Sequence, residues 1–223
     1  MSRMVTVILM CGFIFIGVQE ALAQNPKPKY KGQEIYDYFA QFTAEDVVEY
    51  AQEAVKYYTP VAQTAYKLPK AEEEKRFNKT MYDFNKRPSK WSVGQFPFIP
   101  SITPQRCDEG RALAHLIPEF MKVMNKKGFI KKFRDVTGRK VAWELCEKLR
   151  SKPQGVWVFE KQWWPQTDRP LWIGFFLIQI PGTPYQLEAF YPSLKYFPKD
   201  IPESKITTKE VKEAERKINR ILK

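Results

Sequence analysis

The chain has 223 residues, 43% hydrophobic and 15% aromatic, and its 37 Lys plus Arg against 25 Asp plus Glu give a formal charge of +12. Beyond residue 18 no apolar run reaches the roughly 20 residues of a bilayer-spanning helix, and the scattered basic residues form no nucleic-acid-binding motif, so nucleic acid is set aside as a partner. The positive balance suits anionic headgroups, an acidic protein face or simply a solvated surface.

The N-terminus is read as a cleavable leader. Arg3 supplies the positive start, Met4 to Val18 an apolar run of 15 residues, and Ala21-Leu22-Ala23 the small-x-small cleavage pattern. The expectation is a signal peptide over 1–23, cut between Ala23 and Gln24, and a mature periplasmic or secreted chain. Met10 stands where a lipid-modified Cys11 would need a small residue. Loss of Arg3 and Glu20 leaves the charge at +12, and the mature chain, 24–223, suits one domain and is ample for a core.

Residues 24–42 open with a polar, proline-bearing run and are expected as a flexible lead-in. Thr43 and Asp46 have the spacing of a capping box, and Val47, Ala51, Ala54, Tyr58, Ala62 and Ala65 follow a 3.6-residue period, which predicts a long helix kinked at Pro60. Pro69 separates it from a charged helix over 70–86, buried through Phe77, Met81 and Phe84, with Glu72, Glu73 and Glu74 on a solvated face. An irregular edge strand is expected from Trp91, a short strand over Arg111 to His115, a brief helix over Pro118 to Lys126, and another helix on the ridge Val141, Leu145 and Leu149. Two cysteines follow the leader, Cys107 and Cys146. In an exported chain they are expected to pair, closing a loop of 39 positions worth about 4 kcal/mol on the chain-entropy account. The strongest strand signals are Val156–Trp163, Leu171–Ile180 and Tyr185–Tyr191, with turns at Trp164–Pro170 and Pro181–Thr183, an antiparallel meander. Thr207 and Glu210 then cap a C-terminal amphipathic helix within 201–223.

The segment Gly155-Val-Trp-Val-Phe-Glu-Lys-Gln-Trp-Trp-Pro165, with Ile178-Gln-Ile-Pro-Gly-Thr-Pro-Tyr185 continuing to Pro192, resembles the signature half of single Cache domains. Cys107-Asp-Glu-Gly-Arg-Ala-Leu-Ala-His115 is similar to the family's Gly-x-x-x-Ala-His loop, and Asp135 to Cys146 to its connector and helix. The resemblance covers about residues 43–192. It implies an α+β fold, a PAS-like antiparallel sheet carrying a long N-terminal helix, here with a C-terminal helix added, in an extracytoplasmic sensor domain over 43–200. It also implies a small organic ligand, often a carboxylate or an amine. No transmembrane segment follows, so a stand-alone exported form is expected. Where the family commonly has Lys, a small residue and Tyr after the hairpin, this chain has Trp172, Gly174 and Phe175, and Leu116 replaces the proline after the loop histidine.

Alternation puts Trp157, Phe159, Lys161 and Trp163 on one strand face. With Trp172 and Phe175 they offer an aromatic surface around one cation, suited to a carboxylate or an aromatic anion. The same rings equally suit a sheet packed on the long helix. The resemblance implies a ligand contact for His115, the chain's one histidine, and Arg111, at even spacing on the same short strand, is placed near the mouth of a pocket between the meander and the 107–120 segment. No Gly-x-Ser-x-Gly elbow, Cys-x-x-Cys-His or His-Glu-x-x-His run occurs, so no catalytic residue, metal or cofactor is assigned. Two functions follow: a stand-alone binder of a small organic ligand, or a non-catalytic accessory subunit docking its basic surface on an acidic protein complex or membrane.

Overall fold

The computed structural model describes residues 29–87, 100–104, 111–115, 121, 122, 124–126, 128–164 and 167–222. The leader, the expected strand from Trp91 to Ile99 and Cys107 lie outside these residues.

Helix α1, Gly32–Phe39, stands inside the segment expected to be a flexible lead-in. Ile35, Tyr36 and Phe39 fall on one face of it and are buried. Tertiary burial, rather than helix propensity, holds so short a helix. Helix α2, Ala44–Ala65, begins as expected: Asp46 N donates to Thr43 Oγ1 at 3.1 Å and Thr43 N to Asp46 Oδ2 at 2.8 Å. It runs through Pro60 to Ala65 and buries Val47, Ala51, Ala54, Tyr58 and Ala62. Helix α3, Lys70–Lys86, buries Phe77, Met81 and Phe84. Glu73, read from sequence as solvated, is 6% exposed.

Among the described residues five strands make one antiparallel sheet: β1 Pro100–Pro104, β2 Ala114–His115, β3 Val156–Trp163, β4 Pro170–Gln179 and β5 Tyr185–Pro192, in spatial order β2-β1-β5-β4-β3. The expected meander β3-β4-β5 forms one half, and β1, lying against β5, extends it. Short α4, Phe129–Lys132, and α5, Val141–Ser151, precede the meander, and α6, Thr208–Asn219, follows it. The fold is therefore α+β, with a long N-terminal helix and a C-terminal helix on an antiparallel sheet.

Register divides the side chains between two faces. Trp157 pairs with Phe176 and Phe159 with Gly174, while Gly174 and Phe176 face Tyr191 and Ala189 on β5. This row meets the N-terminal helices: Tyr191 lies 6.2 Å from Phe39, its hydroxyl donates to Phe42 O at 2.7 Å, and Tyr185 stacks edge-on against Phe77 at 4.7 Å. A Cβ at Gly174 would sit 3.1 Å from Phe159 and 3.2 Å from Trp157, so a glycine lets both rings lie flat across β4.

β3 is the last strand, and an open strand edge invites unwanted pairing. Here the outward groups of Trp157, Phe159 and Lys161 are all taken. Trp157 N and O bond the Asn219 side chain, both at 2.9 Å. Phe159 N donates to Glu215 Oε1 at 3.1 Å, and Phe159 O accepts from Arg139 Nη1 at 2.9 Å. Lys161 N donates to Asp135 Oδ2 at 3.1 Å, and Lys161 O accepts from Val136 N at 2.9 Å. Asp135 itself is fixed by the Thr137 and Arg139 amides at 2.9 Å, in a turn completed by Gly138 at φ 86°.

Candidate ligand-binding face

The face turned away from α1–α3 carries the side chains that alternate with the packed rings. On β3 these are Val158 and Glu160, on β4 Ile173 and Phe175, on β5 Gln186, Glu188 and Phe190, and the row continues through Thr103 of β1 to His115 of β2. Phe175 pairs with Phe190, Glu188 with Ser101, and Ser101 with His115.

An aromatic floor lies at the centre. Phe175 and Phe190 meet edge to face at 4.7 Å, and the His115 ring lies 5.5 Å from Phe190. All three are nearly buried, at 5%, 6% and 6% exposure. Beside them Gln186 Nε2 donates to Thr103 Oγ1 at 2.7 Å and reaches Glu188 Oε1 at 3.5 Å, and Thr103 Oγ1 lies 3.4 Å from the same carboxylate oxygen. The carboxylate orients the amide nitrogen towards itself, which leaves Gln186 Oε1 buried with no donor. Such an orphaned acceptor is costly unless something supplies an N–H or O–H. At the other end, burial above all holds the Glu160 carboxyl well above the usual carboxylate range. The negative charges of Asp135 and Glu188 push the same way, and the Arg139 guanidinium opposes them.

The residues expected at the site do not all meet. His115 and Phe175 share this face, joined by Phe190. Trp157, Phe159 and Trp172 lie on the opposite face, at 0%, 0% and 1% exposure, and pack as core: Trp172 and Phe159 both contact the Phe197 ring, at 5.3 and 4.9 Å. Lys161 is half-buried, with its ammonium 5.7 Å from the centre of the Trp172 ring, and Trp163 is half-buried at the end of β3 opposite Pro170. Arg111 is turned towards α3, where it bonds Glu74 Oε1 at 2.9 Å and pairs with Glu73, which also takes the Tyr185 hydroxyl. The expected cationic centre is thus not on the His115 face. Cys146 is buried and disulfide-bonded.

Phe190, Gln186, Glu188, Thr103 and Glu160 were missed. The period-two rule held the signal: Trp172 and Phe175 are three positions apart on one strand and must face opposite ways. What alternation could not supply was the β4–β5 register, which the Pro181–Thr183 turn sets by bringing Ile180 N to Tyr185 O at 3.0 Å.

No protein-family profile and no curated protein matches the chain. Two solved structures are similar to it in fold. One is described as the periplasmic sensor domain of a chemotaxis protein, at 12% identity, covering 67% of this chain and 92% of that one, with a TM-score of 0.46. The other, described under the structural basis for carboxylic acid recognition by a Cache chemosensory domain, is 14% identical, with 70% and 95% covered and a TM-score of 0.46. Among the described residues no helix is long and apolar enough to cross a membrane, and no group of three or more His, Cys, Asp or Glu is placed to hold a metal ion.

Proposed function

We propose that the chain is an exported Cache-type module that binds a small organic ligand on the sheet face floored by His115, Phe175 and Phe190, without catalysing a reaction. The observation that carries this reading is the unpartnered Gln186 Oε1 beside an aromatic floor, since ligand sites combine apolar walls with a few convergent polar atoms. The carboxylate or aromatic anion expected from sequence was placed around Lys161, which lies beside Trp172 on the opposite face, and Arg111, which is paired with Glu73 and Glu74. An orphaned acceptor beside a carboxylate favours a ligand that presents N–H or O–H donors, such as an amine or a hydroxylated compound. Export by a leader cut after Ala23 and a Cys107–Cys146 bridge belong to the same proposal, supported by the leader pattern and by the bonded state of Cys146.

A thermal-shift screen of the mature protein against amines, polyols and organic acids tests it. A ligand at 100 times its Kd adds about 2.7 kcal/mol. Gln186→Met should then abolish the shift from a donor-bearing hit, because the acceptor is gone. Stabilisation that survives this change, or no hit across the three classes, refutes the assignment.

A further inference from the structure

We propose a second binding site, independent of the sheet face: a basic groove between α5, the Arg139 turn and α6 that receives an acidic segment of a partner protein. The groove encloses about 840 Å³. Its lining brings together Arg139, Lys148, Lys152, Lys209, Lys212 and Arg216 against two carboxylates, Glu144 and Glu215.

Both carboxylates are already committed. Arg139 Nη2 holds Glu144 Oε2 at 2.9 Å and Glu215 Oε1 at 3.1 Å, while Lys148 Nζ holds Glu215 Oε2 at 3.0 Å. Glu215 also accepts the Phe159 amide, so it is anchored to the sheet edge. The neighbouring acids on α6 are turned to other tasks: Glu213 pairs with Lys217 at 2.9 Å, and Glu210 closes the helix's capping box. Lys152, Lys209, Lys212 and Arg216 are exposed and make no ion pair within 4 Å among the described residues. Four exposed cations without an ion pair of their own, on facing walls of a concave surface, focus a positive potential into it.

Shape selects the occupant. Lys209, Lys212, Arg216 and Asn219 form one stripe along α6, and ten residues of helix span about 15 Å. That length matches four or five residues of extended chain at about 3.3 Å each. The lysines are mobile point charges, suited to carboxylates without a fixed geometry. No ring lines the groove on which a base could stack, and a planar membrane surface does not enter a concavity. Because Asn219, Glu215 and Arg139 seal the backbone of β3, the segment is held by side-chain charge and not by strand addition.

Fluorescence polarisation with labelled hexaglutamate tests the site on the mature chain at low salt. The variant Lys209→Glu/Lys212→Glu/Arg216→Glu is compared with Lys56→Glu/Lys70→Glu/Lys75→Glu, which changes net charge equally at exposed positions elsewhere. The expected result is a loss of about tenfold or more in affinity for the groove variant, while the control stays within about twofold of the parent, a gap of at least fivefold. Equal losses in both variants mean that overall charge alone attracts the peptide and overturn the proposal, as does no binding by the parent. Tripolyphosphate competing at a lower concentration than unlabelled hexaglutamate identifies a small-anion site instead. Groove-dependent binding to phosphatidylserine vesicles without peptide binding identifies a membrane contact. Either outcome also overturns it.

Discussion

Replacing Arg111 with methionine separates a structural role from a ligand-binding one. In the structure its guanidinium binds Glu74 and Glu73, and Glu73, only 6% exposed, also receives the Tyr185 hydroxyl. Without Arg111 the Glu73 carboxylate is left buried with one neutral donor. Breaking a buried pair from one side costs about 3–5 kcal/mol. The Arg111 side chain is 17% exposed and that of Glu74 36%, so water reclaims part of the charge and about 2–3 kcal/mol is expected. For a domain of this size each kcal/mol lowers Tm by about 2–4 °C, a drop of about 4–12 °C in all. Urea denaturation of the parent, Arg111→Met, Glu73→Gln and the double variant measures it. The double variant should recover at least half of the loss, because it leaves no unpaired charge. If Arg111→Met keeps the parental midpoint yet abolishes ligand stabilisation, the assignment of Arg111 to the α3 clamp is wrong.

Glu160 makes stability depend on pH. Its folded pKa is raised above the unfolded one, so the stability it contributes is present at low pH and is lost as pH rises from the ordinary carboxylate range towards the raised value. The slope is at most about 1.4 kcal/mol per pH unit. Glu160→Gln should flatten that decline in a series of urea melts between pH 5 and 8, and an unchanged slope would count against a protonated Glu160. Asn219→Leu strips both bonds from the Trp157 backbone and should cost about 2 kcal/mol, read by thermal melting, with faster hydrogen exchange at the Trp157 amide as the local signature. Reduction of the Cys146 disulfide should lower stability by about 4 kcal/mol if Cys107 is the partner. Peptide mapping of non-reduced protein identifies the pair.

Elements with a clear period were legible in the sequence. The apolar stripe and Thr43 cap place α2, and Pro69 and the Phe77-Met81-Phe84 spacing place α3, within a residue or so of the structure, while the Thr207 box places the start of α6, which ends at Asn219 within the expected 201–223. The meander was equally clear, since its strands are apolar and separated by the proline-bearing Trp164–Pro170 segment and the Pro181-Gly182-Thr183 turn. Helix α1 was not, because it is only eight residues long, follows a polar, proline-bearing run, and its order depends on distant partners such as Trp164, 6.0 Å from Phe39. The site was half legible. His115 and Phe175 are on the candidate face, whereas Lys161, grouped by alternation with Trp157, Phe159 and Trp163, stays with them on the opposite face, and Arg111, grouped with His115 by even spacing, turns to α3. The Arg111 partners, Glu73 and Glu74 on α3, depend on packing that no local pattern carries.

The most direct test is the structure of the mature protein with the strongest screening hit. The ligand should lie against Phe175, Phe190 and His115, with a donor within about 3 Å of Gln186 Oε1. A ligand seated instead among Trp157, Phe159 and Trp172, or one that leaves Gln186 Oε1 untouched, contradicts the account.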